Sequence, residues 1–234
     1  VKPVLTRNLL LEGVTFSLNK PEGWTSFDAV KFVRKFTGSK VGHAGTLDPL
    51  ATGVLVLCTG SHTKKIQTIQ AGEKEYTGLI CLGHTTPSLD LETPISESRL
   101  PVTCDTENIA QAASAMLGSQ AQIPPAYSAK QIKGKRAYEF ARKGEEVKLE
   151  ASQIRIDAFD ILACTQLEDG CLHVSFRLVC SKGTYVRCIA RDLGKALGYP
   201  AYLHKLIRTR SGDFSIDHAY TTEELRTCFP KSEK

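Results

Sequence analysis

Asp48 lies in the segment Gly42-His43-Ala44-Gly45-Thr46-Leu47-Asp48-Pro49-Leu50-Ala51-Thr52-Gly53. An ionised carboxylate can act as a nucleophile or as a general base. Either role needs partial removal from water and a nearby cation, since an adjacent arginine lowers a carboxyl pKa by roughly 1–3 units. The surrounding residue types suit such a task. Gly42, Gly45 and Gly53 allow backbone angles other residues avoid, so the segment reads as a tightly folded loop. Pro49 biases Asp48 toward extended backbone. The apolar run Val54-Leu55-Val56-Leu57-Cys58 follows at strand length and offers a rigid base for the loop. Taken alone, Asp-Pro is also an ordinary turn dipeptide.

Other segments add matching chemistry. Cys180-Ser181-Lys182-Gly183-Thr184-Tyr185-Val186-Arg187 reads as a strand end, a glycine turn and a helix start, with an arginine in the first turn. Lys74-Glu75-Tyr76 places an aromatic ring at the start of a strand, where tyrosine taken alone is an ordinary β-former. Asn19-Lys20-Pro21-Glu22-Gly23 reads as a turn. Residues 124–144 read as a basic hairpin-then-helix segment that gathers Lys130, Lys133, Lys135, Arg136, Arg142 and Lys143 with interleaved aromatic residues after Pro124-Pro125, a pattern suited to neutralising phosphates. Tyr202-Leu203-His204-Lys205-Leu206-Ile207-Arg208-Thr209-Arg210-Ser211-Gly212 closes the series.

Together, in this order and from Leu10 to about His218, these segments resemble the signatures of the TruB family of tRNA pseudouridine synthases. The resemblance implies a pseudouridine synthase fold and isomerisation of uridine 55 in the T arm of tRNA, with no cofactor and no metal. It implies that Asp48 is the catalytic carboxylate, Arg187 its ionic partner, and Tyr76 a ring that stacks on the target base. It further implies that Tyr185 and Leu206 line the pocket and Lys20 supports it. By the same resemblance, His43 is expected to hold the flipped nucleotide, and Lys130 and Arg136 to belong to an RNA-closing thumb at about 124–144. Where many family members carry two adjacent arginines, this chain has Ile207-Arg208, and no role passes to residue 207. After Gly212 only a short segment remains. A full C-terminal RNA-binding domain is therefore not expected, and tRNA affinity is expected to fall below that of longer relatives.

The elements that must position these residues are legible in outline. Leu9–Asn19 alternates as strand and turn. Ser26 is expected to cap a helix carrying Phe27, Val30, Val33 and Phe36, with Gly38 past its end. Glu75–Gly83 reads as strand, and Pro87–Pro101 as loop. Asp105 or Thr106 starts a helix closed by Gly118. Ile154–Ile161 and Leu172–Cys180 alternate as neighbouring antiparallel strands joined near Asp169-Gly170. Tyr185–Leu197 reads as helix ending at Gly198, and Thr221 with Glu224 as a capping box. The simplest account is a single α+β domain over 1–234, with a mixed, mainly antiparallel central sheet flanked by helices and loops.

Composition agrees with a soluble globular chain: 234 residues, 41% hydrophobic and 24% charged. No apolar run approaches the roughly 18 residues that span a bilayer, and the N-terminus lacks a signal-peptide pattern, so a cytoplasmic monomer without membrane or obligate protein partner is expected. The net charge of +5 permits a polyanionic partner without requiring one. None of the eight cysteines forms a C-x-x-C pair, which argues against a zinc knuckle, and they read as reduced and structural. Two other readings remain: a non-catalytic tRNA-binding or folding chaperone on the same scaffold, and a hydrolase using Asp48. The second lacks a paired carboxylate or a Ser-His-Asp pattern.

Overall fold

A computed structural model of the chain describes residues 2–128, 130–132, 134–145 and 149–229. Along the chain run α1 (Arg7–Glu12), β1 (Thr15–Lys20), α2 (Ser26–Thr37), β2 (Val41–Ala44), β3 (Thr52–Thr59), α3 (Ile66–Gln70) and β4 (Lys74–Leu82). Then come β5 (His84–Thr85), β6 (Glu97–Ser98), α4 (Thr106–Ser114), β7 (Gly118–Gln122), β8 (Gln131–Ile132), β9 (Lys135–Arg136) and α5 (Ala137–Ala141). The last are β10 (Ser152–Gln166), β11 (Leu172–Cys180), α6 (Val186–Leu197), β12 (Ala201–Ser211), β13 (Phe214–Ser215) and α7 (Thr222–Cys228). The class is α+β, as expected. No helix among the described residues is long and apolar enough to cross a membrane.

The chain divides into two compact units, Val1–Tyr76 with Leu206–Lys234, and Thr77–Lys205. In the first unit, β3 is the central strand. It pairs antiparallel with β1 and β2, and parallel with β12 through Ile207 and Arg208, so the sheet is mixed. Leu55, Val56 and Leu57 are fully buried, as is Leu18 of β1. A run apolar on both faces is what a strand covered on both sides requires, and each such side chain contributes about 1.5–3 kcal/mol. The C-terminal segment returns to β1, where Asn19 N–H donates to Tyr220 and Tyr220 N–H to Ser17, each at 2.8 Å.

In the second unit the strand order is β4-β11-β10-β7, with β10 antiparallel to both β11 and β7. This bears out the expected pairing of 154–161 with 172–180. Helix α6 buries Val186, Ile189, Ala190 and Leu193, and ends at Gly198 in the left-handed conformation, as its sequence predicts. The β8–β9 hairpin followed by α5 matches the hairpin-then-helix expected in the basic segment. Lys133 of that segment lies outside the described residues.

Several expectations need correction. Residues 9–12 of the expected Leu9–Asn19 strand and turn are helical, because Thr6 accepts from Leu9 N–H and caps a turn that the apolar Leu9-Leu10-Leu11 run leaves ambiguous. Helix α2 is capped by Thr25, not Ser26. Thr25 has extended backbone and forms a reciprocal capping box with Asp28. Helix α4 ends at Ser114, short of Gly118, whose φ of 92° instead opens β7. The loop carrying Asp48 is shorter than predicted, since Gly42 and His43 belong to β2, and Thr52 and Gly53 to β3.

Candidate active site

The first unit holds Lys20, His43, Asp48, Tyr76 and Leu206; the second holds Lys130, Arg136, Tyr185 and Arg187.

The loop from Gly45 to Ala51 is pinned on both sides of Asp48. Upstream, Ser26 Oγ accepts from Leu47 N–H at 2.8 Å and donates to the Leu47 carbonyl at 3.1 Å. Displaced from the cap position by Thr25, Ser26 thereby becomes the helix's tie to the loop. Downstream, Gly23 N–H donates to the Pro49 carbonyl at 2.9 Å, and Ala51 N–H closes a turn onto the Asp48 carbonyl at 3.1 Å. Lys20, fully buried, donates from Nζ to the carbonyls of Trp24, Pro21 and Pro49 at 2.6, 2.9 and 3.2 Å. Burial lowers its pKa to about 8, while the negative charge of Asp48 opposes that shift. Lys20 thus both fixes the loop and places positive charge near the Asp48 carboxylate.

Arg208 is a residue the sequence reading missed. It is 1% exposed and reaches from β12 to the start of the loop. Its Nε donates to Val54 at 2.7 Å, Nη2 to Gly45 at 3.1 Å and Nη1 to Thr46 at 3.4 Å, all backbone carbonyls. A planar guanidinium is suited to serving several carbonyls in fixed directions. Gly53 permits this approach: it has φ of 99°, and a Cβ there would stand 2.3 Å from the Arg208 carbonyl oxygen. His43 is held below its ordinary pKa by burial and by the Arg208 charge, so it is neutral near pH 7.

Tyr76 is 7% and Leu206 9% exposed. The start of β4 is held beside the end of β12: Thr209 Oγ1 donates to Glu75 at 3.0 Å, Arg210 to Glu73 at 2.6 Å, and Gly212 N–H to the Glu73 carbonyl at 2.8 Å. These contacts set the backbone that carries Tyr76.

In the second unit Arg187 is 4% exposed in the first turn of α6. It donates to the carbonyls of Tyr127 and Ser88 at 2.9 and 3.0 Å and forms an ion pair with buried Asp90 at 3.5 Å. Asp90 was not singled out from sequence, where it sits in a Ser- and Thr-rich loop. Gln122 brackets the Tyr185 peptide, accepting from its N–H at 2.8 Å and donating to its carbonyl at 3.3 Å. In the basic segment, Lys130 Nζ donates to the Glu150 carbonyl at 2.8 Å and Arg142 pairs with Glu92 at 2.6 Å. Arg136 lies at the exposed surface.

Spacing along the chain offered no metal-ligand cluster. The fold nevertheless groups Cys81, Cys171 and His173, and also His84, Asp169 and Cys171.

The α+β fold around a mixed sheet is that of the pseudouridine synthase class, as two superpositions show. The Cbf5-Nop10-Gar1 complex contains a chain that superposes with a TM-score of 0.70 at 25% identity, over 98% of this chain and 60% of that one. A chain of an H/ACA RNP bound to a substrate RNA containing 2′-deoxyuridine superposes with a TM-score of 0.66 at 26% identity, over 92% of this chain and 53% of that one. This chain therefore spans little more than half the length of those structural relatives. Residues 33–186 match the family described as TruB family pseudouridylate synthase (N terminal domain). The tRNA pseudouridine synthase B of Bacteroides thetaiotaomicron is 46% identical over 95% of both chains. That of Paenarthrobacter aurescens is 43% identical over 92% of this chain and 70% of its own length. The chain belongs to the TruB family of pseudouridylate synthases, and is an isomerase.

Proposed function

We propose that this enzyme converts uridine 55 in the T arm of tRNA to pseudouridine, acting as a monomer without a cofactor. The observation that carries this reading is the Asp48 loop, fastened from Ser26, Lys20 and Arg208, in a chain whose 46%-identical relative is a tRNA pseudouridine synthase B.

The reaction breaks the C1′–N1 bond, turns the uracil, joins C1′ to C5, moves the C5 proton to solvent and leaves N1 protonated. A stacked uridine cannot reach a side chain, so the nucleotide must flip out at a cost of a few kcal/mol. Contacts from the basic segment to phosphates, stacking on Tyr76, and His43 and Leu206 at the flipped nucleotide offset that cost, and the family resemblance assigns Tyr185 to the same task. Asp48 then attacks C1′, or takes a sugar proton to give a glycal; both routes need the ionised carboxylate. Lys20 favours that form from within the loop's own unit. Arg187 is assigned the same task by the family resemblance.

The test is pseudouridine mapping on an unmodified tRNA transcript incubated with the protein alone. The expected result is a new pseudouridine at the T-arm position with wild type and none with Asp48→Asn, at equal tRNA affinity. Salt-sensitive binding without modification by wild type would establish the chaperone reading instead. A single monomeric mass by light scattering checks the oligomeric state.

A further inference from the structure

We propose that Cys81, Cys171 and His173 form a binding site for a thiophilic divalent cation, Zn²⁺ by chemistry, on the face of the second unit's sheet opposite its main core. The ligand atoms of these three residues lie within 4.8 Å of one another. In tetrahedral zinc, Zn–S of about 2.3 Å and Zn–N of about 2.0 Å place neighbouring ligand atoms roughly 3.3–3.8 Å apart. Rotamer adjustments of about 1 Å would close the cluster on an ion. Two soft sulfurs and an imidazole match zinc better than they match magnesium or calcium.

The site is built by strand geometry. Cys171 immediately precedes β11, and continuing the strand's alternation back by one residue puts it on the same face as His173. Buried Ile80 and Val174 neighbour Cys81 and His173 in sequence and point to the other face. β4, which carries Cys81, is the neighbour of β11 in the sheet. Residues on this second face of β11 are mostly half-buried, yet Cys81 and Cys171 are 1% and 2% exposed and pack with Tyr202.

The surroundings hold the ligands in place, as outer groups do around metals. The His173 ring lies against the His204 ring with centroids 4.5 Å apart, and Tyr202 Oη is 3.3 Å from His204 Nδ1. On the other side, Asp169 Oδ1 accepts from Cys171 N–H at 3.0 Å, and its Oδ2 faces His84 Nε2 at 3.4 Å. Asp169 and His84 also place ligand-type atoms within 4.8 Å of the Cys171 sulfur, so the fourth coordination position opens toward that pair. On binding, both thiols release their protons to solvent, and two thiolates balance the two positive charges of the ion. The ion cross-links β4 to the start of β11.

The test uses the full, untagged chain, stripped with chelator under a non-metal-binding reductant and titrated with Co²⁺ and Zn²⁺. The expected result is one equivalent of cobalt with thiolate-to-cobalt charge-transfer absorption, bleached by zinc, and a zinc-dependent rise in Tm. Cys81→Ser, Cys171→Ser and His173→Gln should each weaken binding more than about tenfold, while Cys104→Ser should not. No charge-transfer absorption in folded wild type would overturn the proposal without reference to any variant. Unchanged binding in folded Cys81→Ser and Cys171→Ser would overturn it equally. Activity at the Asp48 site is not a readout, so this outcome and that of the pseudouridine test are independent.

Discussion

Arg208 reaches back 154 positions to donate from Nε to the Val54 carbonyl at 2.7 Å, while Nη2 holds Gly45 at 3.1 Å. One buried guanidinium therefore fastens the start of the Asp48 loop to the strand that follows it. Arg208→Ala would strip three carbonyls of their donor. Leaving buried groups unpaired costs about 1–3 kcal/mol each before relaxation, so a loss of about 3 kcal/mol is expected in urea unfolding. A larger fall in kcat than in substrate affinity should accompany it. Unchanged midpoint and kcat would show that the loop holds itself.

Gly53 and Gly23 form a matched pair for testing close packing. Both have positive φ, but a Cβ at Gly53 would meet Arg208 backbone at 2.3 Å whereas one at Gly23 meets nothing within 4 Å. Gly53→Ala is expected to destabilise by about 2–4 kcal/mol and Gly23→Ala by about 1 kcal/mol. Equal losses in the two unfolding curves would refute the steric argument.

Lys20 is expected to titrate with a midpoint near 8, well below the usual 10.5, because burial disfavours its charge. The folded pKa is the depressed one, so the unfolded chain binds more protons between these values and stability rises with pH from about 8 to 10.5. That gain should vanish in Lys20→Met when the two proteins are compared across the window. A side-chain amine signal from Lys20 titrating near 10.5 would contradict the assignment.

Asp90 and Arg187 are both nearly excluded from water. Removing one partner of a buried pair strands the other's charge, typically at about 3–5 kcal/mol. Asp90→Asn keeps the shape and some hydrogen bonding, so a loss of about 2–4 kcal/mol is expected, along with reduced pseudouridine formation. If the Asp90→Asn, Arg187→Lys double mutant simply adds the two single losses, the pair is not coupled.

Salt dependence should separate two basic side chains of the 124–144 segment. Arg136 is exposed, so Arg136→Ala should lower the slope of log affinity for tRNA against log salt by about one. Lys130 Nζ is engaged with the Glu150 carbonyl. Lys130→Met should leave that slope nearly intact while increasing hydrogen exchange at 149–152. The reverse pattern would exchange the two roles.

Features that depend on neighbours along the chain were legible from the residues alone. The alternation of β10 and β11 and the glycine stop of α6 are short-range signals. So are the Thr221–Glu224 capping box and the hairpin before α5, and the structure carries each of them. Asp48 and Arg187 stood out as candidates because they sit in distinctive consecutive residues. Where short-range signals conflicted, reading failed: three leucines fit strand or helix until the Thr6 cap decided, and Thr25 and Ser26 are equally plausible caps on composition. Only the tertiary structure could assign Ser26 to Leu47, Arg208 to Gly45 and Val54, Asp90 to Arg187, and Cys81 to Cys171 with His173. A buried polar side chain takes its partner from whichever backbone or side chain the fold brings beside it. For residues tens to more than a hundred positions apart, no local periodicity records that choice.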